Sequence, residues 1–217
     1  MKKLIILFIV FLLFSSTAQA YQLELRGQGS SVHGTYNLIY DPDLDITWYD
    51  FSNAIDTWDN QVAWADALSV DFGGTIFDDW RLPTTVDGPY EFGYDGTTTA
   101  GYNITTSEMG HLYYTELGNT VLGGLSNTGD FQTLNPFGVY WSGTEFSDDT
   151  LDSWHFSFDG GLQGEGPKAP TSFYALAVRS GDVTPVPEPT TIALLGIGLA
   201  GLAGGAVRRR RKKAKNI

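Results

Sequence analysis

The sequence predicts a compact, loop-rich α+β domain in which two helices are followed by antiparallel strands. Two stretches in the first two-thirds of the chain repeat apolar residues at helical spacing. A later stretch, "DSWHFSFDGG", alternates apolar and polar residues with the period of a strand. The chain of 217 residues is long enough for one sizeable domain.

The first helix is predicted within "TWDNQVAWADALSV". Its apolar positions are Trp58, Val62, Ala65 and Leu68. Thr57 is a suitable N-cap, and Gly73-Gly74 would end the run.

The second helix is predicted within "TTSEMGHLYYTELG". Its apolar face consists of Met109, Leu112, Tyr113 and Leu117. Thr105 and Glu108 have the spacing of a capping box, and Gly118 stands where the helix would stop.

Strands are predicted at both ends of the domain. "HGTYNLIYD" indicates an early strand that leads into an Asp-rich turn. Trp154, Phe156 and Phe158 face one side of a late strand, and "SFYALAVR", which is apolar on both faces, indicates a central strand. Between them, "DGPYEFGYDGTTTAGYN" is typical of a functional surface loop.

The charge of the chain is sharply divided. All 25 acidic residues lie between Tyr21 and Pro189. The basic residues of that segment are Arg26, Arg81, Lys168 and Arg179. Such a surface repels nucleic acid and anionic lipid, and it suits divalent cations, cationic partners or simple solubility. The absence of cysteine excludes thiol nucleophiles, thiolate metal sites and disulfides.

The two ends of the chain have the composition of targeting segments. Residues 1–20 predict a signal peptide that signal peptidase cleaves after Ala20, with Ala18 and Ala20 as the small residues of the cleavage site. At the other end, a linker at 183–189 precedes an uncharged stretch at 190–207 that just spans a bilayer. The basic tail at 208–217 would stay in the cytoplasm, which places the domain outside.

The stretch "VPEPTTIALLGIGLAGLAGGAVRRRRKK" resembles the PEP-CTERM sorting signal, in which Pro187-Glu188-Pro189 precedes a short apolar helix and a basic cluster. The resemblance implies recognition by an exosortase and removal of the tail near the Pro-Glu-Pro motif. It also implies a Gram-negative host that makes exopolysaccharide. The rival interpretation is a single-pass membrane protein that keeps its tail.

Residues 21–182 form the predicted domain. The segments "LIYDPDLDITWYD", "FDDWRLPTT", "SEMGHLYYTELG", "VYWSGTEF" and "FYALAVRSGD" resemble, in this order, the Lcl C-terminal domain family. The "WRLPT" element is also similar to the formylglycine-generating enzyme group, which implies a variant of the C-type lectin fold. The oxidation carried out by that group needs paired cysteines, so that activity is excluded here.

Lectin-like folds commonly bind ligands through late loops, so the resemblance implies a ligand patch that follows "WSGT". Its members are Trp141, Glu145, Asp148, Asp149 and Asp152. The alternative is a solvated loop, and the tryptophans Trp48, Trp80, Trp141 and Trp154 are more simply core residues than sugar-stacking ones.

No metal site and no cofactor are predicted outright. Asp41, Asp43 and Asp45 are weak candidates for calcium, but Ile46 and Ser52 occupy positions where an EF-hand needs Gly and an acid. Glu108 and His111 have metal-ligand spacing on a helix, although a capped helix explains them as well. Arg81 and Arg179 are predicted to form bidentate pairs with carboxylates.

The function predicted from these observations is a non-enzymatic surface or matrix protein that binds polysaccharide or a surface partner. Two alternatives stay open. One is an enzyme that cleaves exopolysaccharide with paired carboxylates. The other is a purely structural component of a biofilm or floc.

Overall fold

The computed structural model describes residues 23–184, and strands far outnumber helices within them. The elements up to residue 77 are β1 (Glu24–Ser31), β2 (Gly34–Asp41), β3 (Ile46–Asp56), α1 (Trp58–Asp66), β4 (Val70–Phe72) and β5 (Thr75–Phe77). The later elements are β6 (Phe92–Gly93), β7 (Ala100–Gly101), α2 (Glu108–His111), a π-helical turn (Leu112–Glu116), β8 (Val139–Glu145), β9 (Asp152–Ser157), β10 (Leu162–Pro167) and β11 (Phe173–Ser180).

The strands form one mixed sheet of 11 strands in the order β5-β4-β1-β2-β3-β11-β8-β9-β10-β7-β6. β11 pairs with β8 in parallel, as β6 does with β7, and the other neighbours are antiparallel. The last long strand therefore joins an N-terminal meander to a C-terminal one.

This architecture contradicts the predicted α+β, C-type-lectin-like class with two helices. The early strand predicted in "HGTYNLIYD" is confirmed as β2, but its neighbours β1 and β3 were not predicted, for two physical reasons. β1, "ELRGQGSS", has only one buried residue and shows no alternation in its sequence, and β3 begins with five consecutive buried residues. Neither pattern has the period of two that identifies a half-buried strand.

The first helix was predicted in the right place but is only 9 residues long, with Thr57 at its N-cap position. The second was predicted as one capped helix and is instead the four-residue α2 followed by the π-helical turn. The capping-box prediction is wrong: Ser107, not Thr105, accepts a hydrogen bond from the amide of Gly110 at 3.0 Å. The Glu108 carboxylate binds Arg81 instead of capping the helix.

The central position of β11 is confirmed, since it lies between β3 and β8 and is apolar on both faces. On one face Leu176 and Val178 pack with Trp48, Met109 and other residues of the larger apolar cluster. On the opposite face Ala177 packs with a cluster that includes Trp80. β9 buries Trp154 and Phe156, and Phe158 just after it is buried too, as the alternation predicted.

The predicted signal peptide, its cleavage residues Ala18 and Ala20, the Pro187-Glu188-Pro189 motif, the apolar stretch 190–207 and the basic tail 208–217 lie outside the described residues. Of the linker, residues 183–184 are described, and Val183 is buried in the core. Between residues 23 and 184 no helix has the length and apolar character needed to span a membrane.

Candidate functional site

The described surface carries a cluster of three aromatic rings between β5 and α2. Phe92, Tyr94 and Tyr102, called the aromatic patch below, have ring centroids 5.3 to 6.1 Å apart. Tyr94 and Tyr102 are stacked with an interplanar angle of 19°. Tyr94 is 65% exposed and Phe92 is 47% exposed, so these two rings face solvent, whereas Tyr102 is half-buried beneath Tyr94.

Hydrogen bonds to backbone carbonyls hold the aromatic patch in place. The amide of Tyr102 donates to the carbonyl of Gly93 at 3.0 Å, and the Asn103 side chain donates to the carbonyl of Tyr94 at 2.7 Å. Gly101 has a φ of 110°, and a Cβ there would collide with the backbone of Gly93. Gln163 on β10 ties the segment to the sheet through a 2.8 Å hydrogen bond to the carbonyl of Thr99.

This loop was predicted to be a functional surface segment, but its rings were not predicted to form a cluster. The usable signal is the spacing of Tyr90, Phe92 and Tyr94, since alternate residues of an extended chain point to the same side. The tryptophans Trp48, Trp80, Trp141 and Trp154 are all buried, as predicted for core residues.

The predicted ligand patch is only partly assembled at the surface. Glu145, Asp148 and Asp149 are exposed and Asp152 is half-buried at the start of β9. Trp141 is fully buried and packs on Phe173 with ring centroids 4.5 Å apart, so it belongs to the core. The acidic members remain a predicted ligand surface.

A cleft of about 470 Å³ opens beside these acids. Its lining consists of Asp59, Asp149, Thr150, Leu151, Asp152, Pro167, Lys168 and Ala169. The ammonium group of Lys168 is held by Glu145 at 2.8 Å and lies 4.2 Å above the ring of Trp58. The cleft therefore combines an anchored cation with acidic walls.

One pair of carboxyl groups meets beside the cleft. Burial, followed by a hydrogen bond to Asp152 and the charges of Asp152 and Asp149, raises the pKa of Glu165. The two carboxyl groups are therefore neighbours beside the cleft. Glycosidases that work with two carboxylates hold them roughly 5 to 9.5 Å apart.

The Asp-rich turn between β2 and β3 does not gather its three carboxylates as a calcium loop would. Asp45 accepts a hydrogen bond from the phenol of Tyr40 at 2.8 Å. Asp43 lies 3.9 Å from Nε2 of His111. Asp41 is fully buried, and its Oδ1 accepts hydrogen bonds of 3.1 Å from the amides of Asp43 and Leu44.

His111 also meets Glu116, and His111 Nε2 and Glu116 Oε1 form a hydrogen bond of 3.2 Å. One ligand atom each of Asp41, His111 and Glu116 falls within 4.8 Å of the others. Burial raises the pKa of Asp41, although amide hydrogen bonds and His111 partly offset it. Burial and the charge of Asp41 also raise the pKa of Glu116.

The metal-ligand spacing of Glu108 and His111 therefore identified one member of this group and missed the other two. Glu108 binds Arg81 through two hydrogen bonds of 2.6 and 2.7 Å. Arg179 binds Asp79 in the same way at 2.7 and 3.0 Å, so the prediction of bidentate pairs for both arginines is confirmed.

Comparison with known proteins identifies the C-terminal segment. A model of the PEP-CTERM protein-sorting motif matches residues 185–211. The motif implies a protein that is exported, anchored transiently in the membrane and processed by an exosortase. No curated protein and no solved structure matches the chain. Membership of the Lcl C-terminal domain family therefore stays a prediction for residues 37–182.

Proposed function

We propose that the domain is a non-enzymatic binding module that contacts polysaccharide outside the cell after exosortase processing. The observation that supports it is the aromatic patch, because exposed rings clustered on a surface are typical of binding sites. Sugar rings present C–H faces that stack on aromatic rings, and the Tyr94 and Tyr102 hydroxyl groups can form hydrogen bonds with sugar hydroxyls.

The charge of the domain narrows the class of polysaccharide. With acidic residues far in excess of basic ones between Tyr21 and Pro189, a polyanionic chain would be repelled. We therefore expect a neutral polysaccharide or one with cationic amino sugars. Added salt would weaken binding to a polysaccharide with cationic amino sugars but not binding to a neutral one, which distinguishes the two.

A glycan array followed by isothermal titration tests this function on the chain purified in detergent, with the host's own exopolysaccharide included. We expect Tyr94→Ala combined with Tyr102→Ala to weaken binding at least about tenfold, which corresponds to about 1.4 kcal/mol. Phe137→Ala is the matched control, since Phe137 is 78% exposed outside the patch. Absence of binding to every glycan, or equal binding by the double variant, would contradict the proposal.

A second function is favoured by one observation, the carboxyl pair of Asp152 and Glu165 beside the cleft. In an enzyme that cleaves exopolysaccharide, Glu165 would be the protonated acid. New reducing ends should then appear when the chain is incubated with exopolysaccharide, and Glu165→Gln should abolish them. If the wild-type chain releases none, the enzymatic alternative fails.

The third alternative is a structural component of a biofilm or floc with no specific ligand. Deleting the gene would then reduce cohesion of the biofilm. Restoring the gene with the Tyr94→Ala and Tyr102→Ala substitutions would then restore cohesion in full. If the protein instead acts by binding polysaccharide through the aromatic patch, the double variant would not restore cohesion.

A further inference from the structure

We propose that Asp41, His111 and Glu116 form a binding site for one divalent transition-metal ion, with Zn²⁺ as the best-fitting ion and Asp43 or water as the fourth ligand. The site links the turn after β2 to the π-helical turn that follows α2. It is independent of whether the aromatic patch binds polysaccharide.

Asp41 has an unsatisfied buried oxygen. Asp41 is 0% exposed, and its Oδ1 is already used by two backbone amides. Among residues 23–184, no group donates a hydrogen bond to its second oxygen, Oδ2. A buried carboxylate oxygen without a partner is costly, and metal coordination is one of the ways in which proteins satisfy it.

The cluster also carries an excess of acidic side chains. Three acidic side chains, those of Asp41, Asp43 and Glu116, surround one imidazole. The basic residues that could neutralise them have other partners in the described part of the chain. Arg26 pairs with Glu24 and Asp182, Arg81 with Glu108, Lys168 with Glu145 and Arg179 with Asp79. A cation from solution is therefore the natural counter-charge for the cluster.

The spacing of two of the side chains fits a bound metal ion. With metal–ligand distances of about 2.1 Å, two ligands of a tetrahedral or octahedral ion lie roughly 3.0 to 3.4 Å apart. The 3.2 Å between His111 Nε2 and Glu116 Oε1 falls in this range. The side chains of these residues are only 14% and 3% exposed, so the ligands are held by packing.

The π-helical turn explains why two residues five positions apart meet. The amide of Leu117 donates to the carbonyl of Leu112 at 2.9 Å, the five-residue hydrogen bond of a π-helix. The wider turn places the side chain of Glu116 next to that of His111. Such turns are rare and are often found at functional sites.

One member of the cluster is open to a surface cavity. Glu116 lines a cavity of about 200 Å³ together with Leu23, Asn127, Gly129 and Asp130. In the described part of the chain neither Asp41 nor His111 lines this cavity, so it gives a solvated ion access from the Glu116 side, and an entry path is one of the requirements for a metal site.

The ligand set selects the class of ion. Calcium takes six to eight oxygen ligands, and an imidazole nitrogen is not among those it prefers. One imidazole and two carboxylates are typical of Zn²⁺ and related divalent ions. This assignment differs from the calcium site that Asp41, Asp43 and Asp45 suggested, because Asp45 is bound by Tyr40 instead.

The test uses the full chain in detergent, stripped with a chelator and titrated calorimetrically with ZnCl₂ and separately with CaCl₂. We expect one Zn²⁺ per chain and, at a hundredfold excess over Kd, a rise in Tm of roughly 5 to 10 °C. His111→Gln and Asp41→Asn should each weaken Zn²⁺ binding at least about tenfold. The matched controls His33→Gln and Asp45→Asn should leave it unchanged.

Because Asp41 is buried, Asp41→Asn could fail to fold, and Glu116→Gln then takes its place. Zinc binding that is equal in wild type, His111→Gln and Glu116→Gln would overturn the proposal, as would no Zn²⁺ binding. Calcium that binds at this cluster more tightly than zinc would also overturn it. Loss of binding in the cluster variants alone, with the controls unchanged, supports it.

Discussion

Arg81 and Glu108 are 27 positions apart in the chain and meet through two parallel hydrogen bonds of 2.7 and 2.6 Å. Glu108 is only 13% exposed and also accepts a hydrogen bond from the amide of Thr84 at 2.7 Å. The pair thus fastens the first residue of α2 to the segment that crosses beside β11. Arg179 and Asp79 form a pair with the same geometry, but Asp79 is 54% exposed.

The first prediction concerns the coupling energies of these two pairs. A double-mutant cycle with Arg81→Met and Glu108→Gln should give a coupling of about 1–2 kcal/mol in the free energy of unfolding. The cycle with Arg179→Met and Asp79→Asn should give less than about 1 kcal/mol, because solvent screens an exposed pair. Denaturant unfolding measures both. Equal coupling energies would contradict the expectation that solvent exposure makes the Arg179–Asp79 pair weaker.

The second prediction is a loss of stability in acid caused by His155. Burial lowers the pKa of His155 to about 4 from an ordinary value of 6.5, and its Nδ1 has no hydrogen-bond partner among the described residues. Below pH 6.5 His155 of the unfolded chain therefore binds a proton, whereas His155 of the folded chain stays neutral until the pH approaches about 4. The stability contributed by the neutral imidazole is present above pH 6.5 and is lost as the pH falls to about 4.

The measurement compares wild type with His155→Gln between pH 7 and pH 4. The stability difference between the two proteins should shift by up to about 3 kcal/mol in favour of the variant as the pH falls. His33→Gln is the control substitution, made at an exposed histidine. A pH profile of His155→Gln that parallels the wild-type profile would mean that His155 is protonated in the folded state.

The third prediction concerns the support of the aromatic patch. Gly101→Ala should destabilise the protein by about 2 kcal/mol or more, because the residue has a φ of 110° and its new Cβ would strike Gly93. Gly74→Ala measures the cost of a positive φ without a steric clash, because the φ of Gly74 is 85° and no atom lies within 4 Å of the added Cβ. Denaturant unfolding should show a loss of about 1 kcal/mol there. Equal losses at both positions would argue against the close contact between β6 and β7.

Several features of the fold were predictable because their signals are local or follow from charge. The alternation of Trp154, Phe156 and Phe158 predicted a half-buried strand, and the apolar run of β11 predicted its central place. The scarcity of basic residues in an acidic domain was enough to predict the bidentate pairs of Arg81 and Arg179.

Other features depend on contacts between distant residues, for which a single sequence carries no periodic signal. In the N-terminal meander β2 was predicted, but β1 and β3 were missed because β1 is only partly buried and the first half of β3 is wholly buried. The cluster of Asp41, His111 and Glu116 forms only when the turn after β2 reaches the π-helical turn. Neither the spacing of Asp41, Asp43 and Asp45 nor that of Glu108 and His111 reveals that meeting.

The central claim is that the acidic domain is exported and that an exosortase removes the tail that carries the sorting motif. Mass spectrometry of the C-terminus tests it most directly, on protein recovered from the cell surface and the culture medium. We predict a terminus near Pro187-Glu188-Pro189 and no trace of the apolar stretch 190–207. Exported protein that still carries Arg208 to Arg211 would contradict the claim and would make the chain a permanently anchored membrane protein.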